Sequence, residues 1–143
     1  AQIVGIDLRL DVTRAEAALR TRDCLRFYWN APQGAEAAGN TGYKGFFYHF
    51  LKNDDGTRYK TNELSTVDTS LFLGGALFAQ SYYDRNDPVE AEIRDLAEKI
   101  YTRVDWTFVQ RENSTIPSAN GGSGKGIAMG WYPEGGQGRR GHR

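Results

Sequence analysis

A chain of 143 residues fits one domain, and its 18 basic side chains balance 18 acidic ones, which leaves no electrostatic case for nucleic acid or an anionic membrane surface as partner. No run of about twenty apolar residues occurs, so nothing is expected to span a membrane as a helix. The single Cys24 excludes an intramolecular disulfide, and with only two histidines a His/Cys metal site has no support, so neither metal nor cofactor is expected.

The chain opens Ala1-Gln2-Ile3, without methionine or a secretory h-region, as expected of a processed chain or one that starts inside a longer protein. In residues 1–11 the apolar scatter of Ile3, Val4, Ile6, Leu8 and Leu10 fits a helix or a strand equally. Thr13-Arg14-Ala15-Glu16 is a capping box that predicts a helix through about Trp29, with Ala17, Ala18, Leu19, Cys24, Leu25 and Tyr28 available for its apolar face. Pro32 ends it, because proline disfavours helical backbone in the residue before it. After a Gly- and Ala-rich connection comes the aromatic run Gly42 to Leu51, then Asn53-Asp54-Asp55-Gly56 and Thr57-Arg58-Tyr59. That pattern predicts a β-hairpin with an Asp-Gly turn, in which Asp54 and Asp55 shape the turn and Phe46 and Phe50 pack.

The stretch from Glu63 to Tyr83 organises the rest. Val67, Leu71, Phe72, Leu73, Ala76, Leu77, Phe78 and Ala79 leave no wide polar face, which predicts a helix enclosed by other helices. Gly74-Gly75 in its middle, costing about 1 kcal/mol each in an exposed helix, suggests close approach of a neighbouring helix. At its leading end two carboxylates, Glu63 and Asp68, crowd among Ser65, Thr66 and Thr69. Two compatible readings follow: Ser65 caps the helix with Asp68 as the third residue of a capping box, or the two carboxyl groups sit at the mouth of a helical barrel with their pKa values pushed apart.

Asp87-Pro88-Val89-Glu90 predicts a further helix through about Val109, amphipathic through Ile93, Leu96, Ala97, Ile100, Tyr101, Val104 and Phe108. An apolar helix followed by a half-polar one is the alternation of inner and outer helices in an α/α barrel, so the expected fold class is all-α with a small β-hairpin insertion. Residues 111–126 predict a mobile loop; Gly121-Gly122-Ser123-Gly124-Lys125-Gly126 lacks the P-loop pattern, since Ala119 stands at the first glycine position and Gly126 follows the lysine. Ile127 to Trp131 reads as a short strand, and residues 135–143, with no apolar residue to bury, as a disordered tail.

Five blocks, Phe27 to Gly34, Gly42 to Leu51, Glu63-Leu64-Ser65-Thr66-Val67-Asp68-Thr69, Val104-Asp105-Trp106 and Met129 to Glu134, resemble the glucoamylase-like family that includes bacterial endo-β-1,2-glucanases and a segment of cyclic β-1,2-glucan synthases. The resemblance covers residues 1–134 in the family's order and stops after Gly136. It implies that this chain supplies the N-terminal part of an (α/α)6 toroid, with glycoside hydrolysis by two carboxyl groups, β-1,2-glucan as the favoured substrate and a periplasmic or extracellular location.

Glycosidic hydrolysis needs one carboxyl group to protonate the leaving oxygen and another to activate water or attack carbon. Glu63 and Asp68 are the candidate pair. Sugar rings pack their C–H faces on aromatic planes, so Tyr43, Phe47, Tyr48, His49 and Trp131 are the candidate substrate-binding residues. His49 reads more readily as a hydrogen-bonded scaffold histidine than as a general base. The expected partner is an oligo- or polysaccharide. If the second catalytic carboxylate lies in a missing part of the toroid, the chain alone is expected to be inactive, and two other functions fit: a non-catalytic carbohydrate-binding or structural remnant, or a helical interaction domain that forms homo-oligomers through uncovered helix faces.

Overall fold

The computed structural model describes residues 12–111 and 126–137; the expectations for residues 1–11, for most of the 111–126 loop and for residues 138–143 lie outside them. The described chain forms two compact units, one of the residues up to Ala31 with Thr69–Val104, the other of Pro32–Asp68 with the residues from Asp105 onward.

The first unit is helical. Helix α1 spans Arg14–Asn30 and starts as expected: the Thr13 side chain accepts from the Glu16 N–H while Glu16 reaches back to the Thr13 backbone. Helix α2, Thr66–Tyr82, begins in the second unit and continues through the first. Helix α3, Pro88–Thr102, starts at an Asp87 cap that accepts from the Val89 and Glu90 N–H groups. Small residues on α1 (Ala17, Ala18, Thr21) let α1 and α3 approach closely, and the core closes over Leu25, Leu73, Ala76, Ala79, Tyr83, Ile93, Leu96, Ala97 and Ile100. Cys24 is half-buried, and its surroundings push the thiol pKa up by desolvation.

One ion pair ties this unit together. Arg14 donates from Nε and Nη2 to both oxygens of the buried Glu90, at 2.7 and 2.9 Å, and from Nη2 to the Tyr82 carbonyl at 2.8 Å. Its guanidinium also lies 4.7 Å from the centre of the Tyr82 ring. Glu90 accepts in addition from the Arg85 N–H at 2.7 Å. The Arg14 hydrogen bonds, working against burial, hold the Glu90 carboxyl below its ordinary pKa.

Three expectations for this unit are corrected. The long α2 is covered on one face only: Leu71 is 71% and Phe78 57% exposed, with Val67 on the same stripe. A Cβ at Gly74 or Gly75 would meet nothing within 4 Å, so no neighbouring helix among the described residues explains the glycine pair. The third helix stops at Thr102 rather than near Val109, because the Asp105 carboxylate caps a separate 3-10 turn, Trp106–Val109, by accepting from the Thr107 and Phe108 N–H groups.

The regular structure of the second unit is a small antiparallel sheet, which adds strands beyond the expected hairpin, while the three helices agree with the helical part of the expected fold. Strands β1 (Gly42–Tyr43), β2 (Phe46–Tyr48), β3 (Leu64–Ser65), β6 (Gly130–Tyr132) and β7 (Gly136–Gln137) form one antiparallel sheet in that order, and β4 (Gln110–Arg111) pairs with β5 (Gly126–Ile127). The tight turn of the hairpin is Lys44-Gly45, with φ of 55° and 85°, the pair of left-handed residues that a two-residue hairpin loop requires. The Asp-Gly turn lies farther on, where Gly56 takes φ 70° and Leu51 bridges to Arg58. Gly136 and Gln137, expected in the disordered tail, instead pair with Tyr132 and Trp131. The expected strand at 127–131 is broken at Ala128 and Met129, whose carbonyls accept from Thr66 Oγ1 at 2.7 Å and the Thr66 N–H at 3.1 Å and so anchor the start of α2 to the sheet.

Candidate functional site

Register decides which candidate residues can meet. Phe47 pairs with Ser65, Tyr48 with Leu64, and Leu64 with Trp131; the His49 N–H donates to the Glu63 carbonyl at 2.9 Å, continuing the ladder by one pair. Opposed residues in an antiparallel ladder share a face and successive residues alternate. Phe47, Ser65, His49 and Glu63 therefore share one face, and Tyr43, Phe46, Tyr48, Leu64 and Trp131 the other.

On the first face His49 Nδ1 lies 2.9 Å from Glu63 Oε1 and 3.8 Å from Asp68 Oδ2. The two carboxylate oxygens are thus no more than 6.7 Å apart, the sum of those distances. The imidazole is also stacked on Phe50, with ring centroids 4.2 Å apart and planes 14° from parallel. Asp68 owes its position to the helix start: its N–H donates to Ser65 Oγ at 3.1 Å, and the Ser65 hydroxyl donates to its carboxylate. The Ser65 cap of the capping reading is therefore present, and Asp68 keeps one carboxylate oxygen 3.8 Å from His49 Nδ1. Gly130 leaves room for the Glu63 side chain, since a Cβ there would stand 3.0 Å from Glu63 Cγ.

The charges settle accordingly. The hydrogen bond to Glu63, with the Asp68 charge nearby, raises the His49 pKa despite some desolvation. Burial pushes the Glu63 carboxyl up, but the His49 hydrogen bond, a backbone hydrogen bond and the imidazolium charge together outweigh it and leave the pKa lowered. A carboxyl group biased toward its ionised form thus faces an imidazole biased toward its protonated form, and Asp68 lies within reach of the same nitrogen.

The aromatic candidates divide. Tyr43 and Trp131 lie on the opposite face, half-buried, with ring centroids 5.2 Å apart although β2 and β3 separate their strands; the sheet curls toward that face, and Phe108 completes the cluster at 5.3 and 5.5 Å. Phe47 and Tyr48 are buried and offer no open ring. Tyr48 stacks under the guanidinium of buried Arg58 at 4.8 Å, and Arg58 in turn pairs with Glu134 at 2.6 Å. Of the seven sequence-derived residues, His49, Glu63 and Asp68 come together; Tyr43 and Trp131 form a separate cluster, and Phe47 and Tyr48 pack. Sequence reasoning missed Gly130, whose value lies in a long-range approach, and Phe50, assigned to packing but 57% exposed. Among the described residues no group of three or more His, Cys, Asp or Glu side chains is placed to hold a metal ion, and no helix is long and apolar enough to cross a membrane.

No protein-family model and no curated protein matches the chain. Two solved structures share its fold. One, a candidate glucoamylase from Bacteroides uniformis, superposes with a TM-score of 0.67 at 20% identity over 94% of this chain and 29% of its own. The other, a candidate glucoamylase from Bacteroides fragilis, gives 0.62 at 20% identity over 94% and 28%. The chain therefore spans less than a third of the length of the structures it resembles.

Proposed function

We propose that this chain carries part of a glycoside hydrolase-type site acting on a β-glucan, with β-1,2-glucan favoured, in which Glu63 and Asp68 are the working carboxyl groups. The observation that carries this reading is the convergence of His49, Glu63 and Asp68 at one corner of the sheet, in a fold shared with two candidate glucoamylases. Glu63, held ionised by His49, serves as the carboxylate that attacks carbon or activates water, and Asp68 is its partner. A span of at most 6.7 Å between their oxygens accommodates the roughly 5 Å of a retaining pair and only the shortest of the roughly 6.5–9.5 Å separations of an inverting pair. His49 acts as a positioning residue, orienting Glu63 while its ring is steadied by Phe50.

Incubation of the purified chain with linear β-1,2-glucan and with other β-glucans, beside Glu63→Gln and Asp68→Asn, tests this reading. Oligosaccharide release that both substitutions abolish supports it; release that survives both overturns the assignment.

A second reading has its own observation. The uncovered stripe of α2 is symmetric about Gly74-Gly75, with Leu71 and Phe78 equidistant from that pair. Two antiparallel copies would set Leu71 of each against Phe78 of the other, with the glycines allowing close approach. Light scattering over a concentration series checks it: growth in mass that Leu71→Ser removes supports self-association, and a strictly monomeric chain opposes it.

A further inference from the structure

Phe50 links the carboxylate corner to a part of the surface outside it. A groove of about 790 Å³ opens beside the Asp54 turn, lined by Phe50, Lys52, Asn53, Asp54, Tyr59 and Lys60. That volume falls within the roughly 300–1,000 Å³ of small-molecule sites. Its two rings are among the more exposed aromatics of the chain, Phe50 at 57% and Tyr59 at 44%.

The backbone that carries both rings is held by a hydrogen-bonded turn, and the Phe50 ring itself stacks on His49. The Tyr59 N–H donates to the Phe50 carbonyl at 3.0 Å. Asn62 clamps both strands at once: its Oδ1 accepts from the Phe50 N–H at 3.0 Å, and its Nδ2 donates to the Phe50 carbonyl at 3.0 Å and to the Tyr59 carbonyl. Lys60, which follows Tyr59, takes φ 52°, a left-handed conformation uncommon for lysine, and its ammonium lies 4.8 Å from the centre of the Tyr59 ring. Two exposed rings on this held backbone, rimmed by an amide, a carboxylate and two ammonium groups, suit a pyranose, whose C–H face is apolar and whose equatorial rim is hydroxyl.

We infer that this groove is a saccharide subsite, binding neighbouring glucose units of the same chain whose bond lies at Glu63 and Asp68. Phe50 belongs to both regions: one side stacks on His49, and the rest of the ring lines the groove. The ligand class rests on the reading given under Proposed function, whereas the groove itself rests on its own geometry. A binder of free anions would use the lysines alone and leave the rings idle.

The experiment is an amide-resonance titration of the isotope-labelled chain with linear β-1,2-gluco-oligosaccharides, repeated on Phe50→Ala, Tyr59→Ala and Glu63→Gln. Shifts at Phe50, Tyr59 and Lys60 that saturate together with those at Glu63 and Asp68 are expected. Each ring deletion is expected to weaken binding by about 2- to 10-fold, while Glu63→Gln leaves the groove shifts in place. Because both rings are exposed, the dispersed spectrum of either variant verifies that it folds. Shifts confined to His49, Glu63 and Asp68 would overturn the groove and leave the carboxylate site standing. Shifts confined to the groove would support it and count against the catalytic reading, and no shift anywhere overturns both.

Discussion

Replacing Glu90 by Ala isolates the energetics of the helical unit. Glu90 is 3% exposed and accepts three hydrogen bonds, two from Arg14 and one from the Arg85 N–H. Removing the carboxylate strands the guanidinium, whose side chain is 21% exposed, and leaves the Arg85 N–H without this acceptor. Breaking a buried pair in this way costs about 3–5 kcal/mol. The residual Arg14 bonds to Asp84 and the Tyr82 carbonyl, and its partial exposure, place the expected loss near the lower figure, about 3 kcal/mol. Urea unfolding followed by far-UV circular dichroism measures it. The double variant Arg14→Met, Glu90→Leu is expected to lose less than Glu90→Ala alone, since no charge is then stranded. The lowered Glu90 pKa adds a pH signature: the contribution is present above the ordinary value of 4.5 and is lost as pH falls through the folded value below it. A Glu90→Ala midpoint within about 0.5 kcal/mol of the parent would refute the reasoning, because so small a change is what exposed surface sites give.

Three further outcomes are expected. The His49 imidazole should titrate above its ordinary 6.5, so its pairing contributes fully below pH 6.5 and is lost as pH rises through the folded pKa; proton NMR should show the midpoint returning toward 6.5 in Glu63→Gln. Ser65→Ala removes the acceptor of the Asp68 N–H and should cost about 0.5–2 kcal/mol in thermal or urea unfolding. The Tyr48 hydroxyl is buried without a hydrogen-bond partner among the described residues, so Tyr48→Phe should leave stability unchanged or raise it by up to about 1 kcal/mol, and a loss above 1 kcal/mol would show a partner outside them.

What the sequence disclosed was local, and what it hid depended on distance. The caps at Thr13 and Asp87 were legible because each is closed by residues two or three positions away. The hairpin turn was not, since lysine seldom takes positive φ and the more familiar Asp-Gly signal lay eleven residues on. Helical periodicity marked the α2 residues suited to burial, but Leu71 and Phe78 show that suitability says nothing about whether a covering partner belongs to the same chain. The candidate site was half legible: Glu63 and Asp68 stood together in the sequence, whereas the contact of His49 with Glu63, fourteen residues away, follows from strand register. The same register sent Tyr43 and Trp131 to the far face, which no composition of aromatics could have announced.

The most direct measurement of the central claim is carbodiimide labelling of carboxyl groups, mapped by mass spectrometry, with and without linear β-1,2-glucan. Glu63 and Asp68, both at the surface in the free chain, should lose reactivity when glucan is present, while Asp23 and Asp95 on the helical unit keep theirs. Unchanged labelling of Glu63 and Asp68 at a glucan concentration that protects other carboxylates would contradict it.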